Sequence, residues 1–168
     1  MPIKTRRKIA AVRTDPRLIG RFGLISELWR GFSRRWKRSL PDFCLVSDEA
    51  YYKPSRSEVA RIVKAWAATH PRYVGERFDC DDYAWTLKAH FSKLASRSRN
   101  LPAAYAVGII WTETSSRGLE GHAYNWAYLS DNKVWLIEPQ TGEMWQLGKK
   151  VRKAGDPNYD SSVCLVCG

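Results

Sequence analysis

The hydrophobic period of this chain changes once along its length, and that change limits the folds open to it. Before about residue 100 apolar residues recur at steps of three and four; beyond it they run continuously or alternate. The first pattern is the stripe of a helix, and the second belongs to buried or half-buried strands. Helices first and an antiparallel sheet second predict an α+β domain. The 168 residues are enough for a proper core without help from disulfides or metals. No apolar stretch approaches the roughly 20 residues needed to span a bilayer.

Three helices are expected. Leu18, Phe22, Ile25, Trp29, Phe32 and Trp36 make one stripe, with Arg17, Arg21, Arg30, Arg34, Arg35, Lys37 and Arg38 on much of the remainder. A second helix opens at Ser55-Arg56-Ser57-Glu58, which has capping-box spacing, and turns Val59, Ile62, Val63 and Trp66 inward before His70-Pro71 stops it. The third begins near Asp79 and carries Tyr83, Ala84, Leu87, Phe91 and Leu94 on one side. Strands follow over 104–111, 122–129 and 133–138, the last two as a hairpin about Ser130-Asp131-Asn132, with further strands over 143–147 and 162–167.

Charge divides the chain differently. The net charge is +11, yet residues 1–40 carry 12 Lys and Arg against Asp15 and Glu27, which leaves the remainder nearly neutral. The expected organisation is a basic amphipathic arm (1–40) joined to a body (41–168). Such an arm either packs its stripe on the body or meets an acidic partner: nucleic acid, an anionic membrane or an acidic protein, through Arg30, Arg34, Arg35, Lys37 and Arg38. The opening residues have the positive start of an export signal without its apolar core, so a cytoplasmic setting and reduced cysteines are expected. Cys164 and Cys167 have metal-knuckle spacing but no second pair, and read as structural thiols. Oligomeric state is not set by the sequence.

The candidate chemistry centres on Cys80. Asp79 is a good N-cap, which puts Cys80 in a first helical turn, where unpaired N–H groups favour a thiolate. His122, at the start of a strand, could take and return a proton. Glu138 ends the partner strand and would hold the imidazole; Gln140 is its rival, because a three-residue loop centred on Asp131 sets 122 opposite 140. The Cys80 N–H and Tyr73 are candidate oxyanion donors, and Trp126 and Trp145 candidate cleft walls. Asp79, Asp81 and Asp82 surround the sulfur with negative charge that opposes its ionisation. Calcium would suit such an oxygen-rich cluster, although no EF-hand spacing is present.

At Phe78-Asp79-Cys80-Asp81-Asp82-Tyr83-Ala84, Gly121-His122-Ala123-Tyr124-Asn125 and Ile137-Glu138-Pro139-Gln140-Thr141-Gly142 the chain resembles the papain-like cysteine protease domain at the C-terminal end of the fairy-ring mushroom agglutinin and in related bacterial and phage proteins. The resemblance covers about residues 50–147 and excludes the lectin half of that agglutinin. It implies a papain-like thiol hydrolase fold, a Cys80, His122, Glu138 triad, and activation by calcium through nearby carboxylates. The expected function is therefore a cysteine hydrolase, a peptidase or amidase with a peptide or protein substrate and a thioester intermediate, localised by its arm. The alternative is a non-catalytic structural or interaction protein, such as a component of a phage particle, that binds DNA, membrane or a neighbouring subunit.

Overall fold

The computed structural model describes residues 15–35, 43–75, 77–114, 120–147 and 161–167. In chain order the elements are β1 (Leu18–Gly20), α1 (Arg21–Arg35), β2 (Phe43–Leu45), β3 (Ala50–Tyr52), α2 (Arg56–Ala67), α3 (Cys80–Arg97), β4 (Ala104–Tyr105), β5 (Val107–Thr114), β6 (Glu120–Tyr128), β7 (Val134–Ile137), β8 (Met144–Gln146) and β9 (Ser161–Cys167). Two sheets result: a three-stranded one in the order β1-β3-β4 and a six-stranded one in the order β2-β9-β5-β6-β7-β8.

This corrects the expected order of helices followed by one antiparallel sheet. Three short strands precede α2, β2 lies parallel to β9, and β3 lies parallel to β4. Strands of two or three residues are too short to show a period in the sequence.

The large sheet is covered on both faces, which is why the run beginning at Ala104 is apolar almost throughout. Leu24, Leu28 and Phe32 of α1 pack with Ile110, Tyr124, Trp126, Tyr128, Val134 and Leu136 on one face. Val59, Ile62, Val63 and Trp66 of α2, with Tyr83, Leu87 and Phe91 of α3, pack with Val107, Ala127, Leu129 and Ile137 on the other. Along β6 large side chains (Tyr124, Trp126, Tyr128) face α1, whereas Ala123, Asn125 and Ala127 face away from it. The small residues let α3 come close to the sheet, and the large ones fill the space beneath α1.

Helix α1 buries a different face from the predicted stripe. Leu24, Leu28 and Phe32 are inside, Ile25 and Trp29 are half-buried, and Phe22 is 83% exposed. Gly31 explains the choice: a Cβ there would stand 3.0 Å from Leu147 Cδ2 and 3.3 Å from Val134 Cγ2, so the face holding the glycine is the one that approaches β7. Among the described residues of the predicted arm, α1 thus packs its Leu24, Leu28 and Phe32 into the core and β1 pairs with β3. Arg30 is exposed and pairs with Glu27 at 2.7 Å. The side chains of Arg34 and Arg35, and Lys37 and Arg38 as a whole, lie outside the described residues. None of the described helices is long and apolar enough to cross a membrane.

Candidate functional site

Helix α3 starts where Asp79 takes an extended conformation, and Asp79 and Asp82 close a reciprocal capping box in which the Asp79 N–H donates to Asp82 Oδ2 at 3.3 Å. The approach to this cap is fixed from both sides. The Val74 and Phe78 backbones bond each other at 3.0 and 2.7 Å, and the Tyr83 hydroxyl donates to the Pro71 carbonyl at 2.8 Å. On the sheet side, buried Asn125 donates from Nδ2 to the carbonyls of Ala84 (2.9 Å) and Gly108 (3.1 Å), tying the second turn of α3 to β5 and β6. Cys80 therefore sits at a fixed height above the sheet, packed on a small cluster of Ala84, Ile109 and Ala123 with Trp111 alongside.

His122 meets the thiol from β6. The pairing Asn125 with Ile137 sets position 122 opposite Gln140, as a three-residue loop requires, yet the side chain that reaches His122 is the diagonal neighbour Glu138. Its Oε2 lies 2.9 Å from His122 Nε2, while its Oε1 accepts the Gln140 N–H at 3.2 Å. Gln140 thus orients the carboxylate through its backbone and leaves the imidazole to Glu138. Gly142, at φ 74°, lets the chain turn so that the Gly142 N–H bonds the Glu138 carbonyl at 2.8 Å. The Tyr124 ring stands edge-on to His122 at 4.3 Å and to Trp145 at 5.5 Å.

The electrostatics follow from these contacts. The hydrogen bond from His122 holds the Cys80 thiol below its usual range; burial opposes this, and the Ala123 N–H and the charge of His122 assist. Asp79 works against ionisation only weakly, so the acidic surroundings do not decide the outcome. For His122 burial disfavours the charge, but the bonds to Cys80 and Glu138 outweigh it and push the pKa up to about 9. Both shifts favour a thiolate–imidazolium pair, a nucleophilic arrangement.

Asp79, Cys80 and Asp81 offer ligand atoms within 4.8 Å of one another. Asp79 Oδ1 is buried without a hydrogen-bond partner, and the hydrogen bond shared with Asp79, aided by burial, raises the pKa of Asp81. Two crowded carboxylates with an orphaned oxygen fit a hard, oxygen-seeking cation such as calcium. Asp82, engaged in the cap, stands outside that trio. Trp126 lines no cleft: it is 0% exposed, beneath α1. Tyr73 is 58% exposed on the loop before α3. Asn125 was not singled out for a role in the sequence, since its use depends on where Ala84 and Gly108 meet.

The profile of the ricin-type beta-trefoil lectin C-terminal domain family matches residues 30–153. No curated protein matches. Among solved structures, the PSL1a-E64 complex superposes with a TM-score of 0.72 at 22% identity, covering 90% of this chain and 50% of that one. Polyporus squamosus lectin bound to the human-type influenza-binding epitope Neu5Aca2-6Galb1-4GlcNAc superposes at 0.63 and 21% identity, covering 85% of this chain and 48% of that one. The chain spans about half the length of these structures, and at such identities the likeness carries the fold alone.

These findings overturn the expected papain-like protease family, thiol hydrolase fold and cysteine hydrolase activity, and they lend no support to a peptide substrate. The family is a lectin's, and a polarised thiol is a reactivity that a fold can hold without turning over a substrate. Its match over residues 30–153 places the chain in the ricin-type beta-trefoil lectin C-terminal domain family.

Proposed function

We propose that the chain is a binding module of a carbohydrate-binding, lectin-type protein, and that its ligand cleft is the centre formed by Cys80, His122 and Glu138. The observation that carries the reading is the family match, and one of the superposed lectins is described with a bound glycan epitope. The cleft is favoured as the ligand site because it gathers a polarised thiol, an imidazole with a raised pKa and a pair of crowded carboxylates at one helix mouth. The excess of positive charge suits an acidic partner, a character that glycoprotein surfaces often have.

A calcium ion held by Asp79 and Asp81 forms part of the proposal. It would offset the repulsion between these carboxylates and fix the start of α3, and hence the position of Cys80. Calorimetric titration of the full chain with calcium, and then with a panel of glycans, tests both statements. The reading expects one calcium site that is lost in Asp81→Asn, and glycan binding that weakens when calcium is chelated. Glycan binding to none of the panel would remove the lectin-type reading. E64, present in the PSL1a complex, probes the cleft separately: capture by the wild type and not by Cys80→Ala supports a ligand site there.

A further inference from the structure

Helix α1 carries a second apolar face, opposite the one that packs on the sheet. Leu24, Leu28 and Phe32 are buried, yet Phe22 is 83% exposed, the most of any large apolar side chain among the described residues. Trp29 follows seven residues on and lies within about 20° of Phe22 round the helix axis. It is half-buried, and Ser26 between them is exposed, so the two aromatic rings mark one outward stripe.

The charge around this stripe has one sign. Residues 1–40 hold 12 Lys and Arg against Asp15 and Glu27, and both acids are engaged by arginines: Asp15 with Arg17 at 2.8 Å and Glu27 with Arg30 at 2.7 Å. No acid lies in the first turn of α1, where Phe22 stands. Net positive charge beside exposed aromatic rings fits an anionic lipid surface, whose headgroups attract the cations while the acyl boundary takes up the rings. Such attraction needs net charge and no fixed contact. A nucleic acid backbone fits this face less well, because it calls for guanidinium groups aimed at phosphates. Here Arg17 and Arg30 face carboxylates, and Arg21 donates to the Ser47 and Asp48 carbonyls at 2.6 and 3.1 Å. With 15 residues α1 is too short to cross a bilayer, so its contact would lie in the plane of the interface.

We infer that the outer face of α1, with Phe22 as its inserting side chain, docks on anionic membrane surfaces. The test is co-sedimentation of the full chain with vesicles of phosphatidylcholine alone and of phosphatidylcholine mixed with phosphatidylserine, for the wild type, Phe22→Ser and Phe22→Trp. Neither lipid carries a sugar, so the result is independent of the lectin-type reading above. Position 22 is exposed, so the three proteins should melt alike, which circular dichroism checks. The inference expects binding to the mixed vesicles that falls as salt is added and is much weaker on phosphatidylcholine alone. It also expects the partition to drop about ten-fold in Phe22→Ser, which loses the apolar insertion, and to be kept in Phe22→Trp. Equal partition of the wild type and Phe22→Ser would overturn the inference, as would no binding to the mixed vesicles. Binding of duplex DNA, or self-association of the chain, that Phe22→Ser abolishes would overturn it as well, by giving the face another occupant.

Discussion

Cys80 and His122 raise each other's preference for the charged form, and this coupling has consequences in solution. Alkylation of Cys80 by iodoacetamide, followed by mass spectrometry across pH, should rise at a pH below the about 8.5 at which an ordinary thiol ionises. His122→Ala should move the profile to or above that value, since burial then acts on the sulfur unopposed. Stability should carry the mark of His122 as well. Its pKa is about 9 in the fold against an ordinary 6.5, so its contribution is complete below about pH 6.5 and is lost as pH rises through about 9. The gap in melting temperature between wild type and His122→Gln is therefore widest below pH 6.5 and narrows toward pH 9; a gap that grows with pH would contradict the coupling. Both partners were legible as Cys80 and His122 in the sequence. Glu138 was the expected partner with Gln140 as its rival; register alone sets 140 opposite 122, and the diagonal reach of the acid is what brings 138 to the imidazole.

At the scale of elements, two contacts hold the cleft's frame together. Asn125→Ala removes its bond to α3 at Ala84 and its bond to β5 at Gly108, and should cost about 1–3 kcal/mol in urea denaturation. It should also slow Cys80 labelling, because α3 loses its fixed height. Gly31 sets the distance between α1 and β7. Gly31→Ala gains about 1 kcal/mol of helix propensity against crowding of a flexible Leu147 end, and should be close to neutral. Gly31→Val presses its extra methyls further into Leu147 and Val134 and should lose about 1–3 kcal/mol by overpacking. The long periodic helices and the β6–β7 hairpin were readable because apolar spacing and the turn at Asn132, with φ 58°, act locally. The buried face of α1 was misread, since its apolar residues cover more than one side and a glycine contact far along the chain decides between them. Strands β1 to β3 escaped notice because their pairing, not their composition, defines them, and β4 was read as the start of one strand over 104–111.

For the whole molecule, the sequence pointed to a centre without saying what that centre serves. Local order along Cys80, His122 and Glu138 suggested hydrolysis, whereas the family to which residues 30–153 belong is that of a lectin domain. Part of the basic stretch 1–40 is structural, as α1 lies on the sheet. The account as a whole predicts binding directed by glycans rather than turnover. The most direct measurement is surface plasmon resonance of the full chain, with calcium, over an immobilised sialylated glycoprotein before and after enzymatic removal of its glycans, with the glycoprotein then recovered and its intact mass determined. The account predicts binding that is lost on deglycosylation and a glycoprotein of unchanged polypeptide mass. Binding indifferent to the glycans, or polypeptide cleavage that disappears in Cys80→Ala, would contradict it.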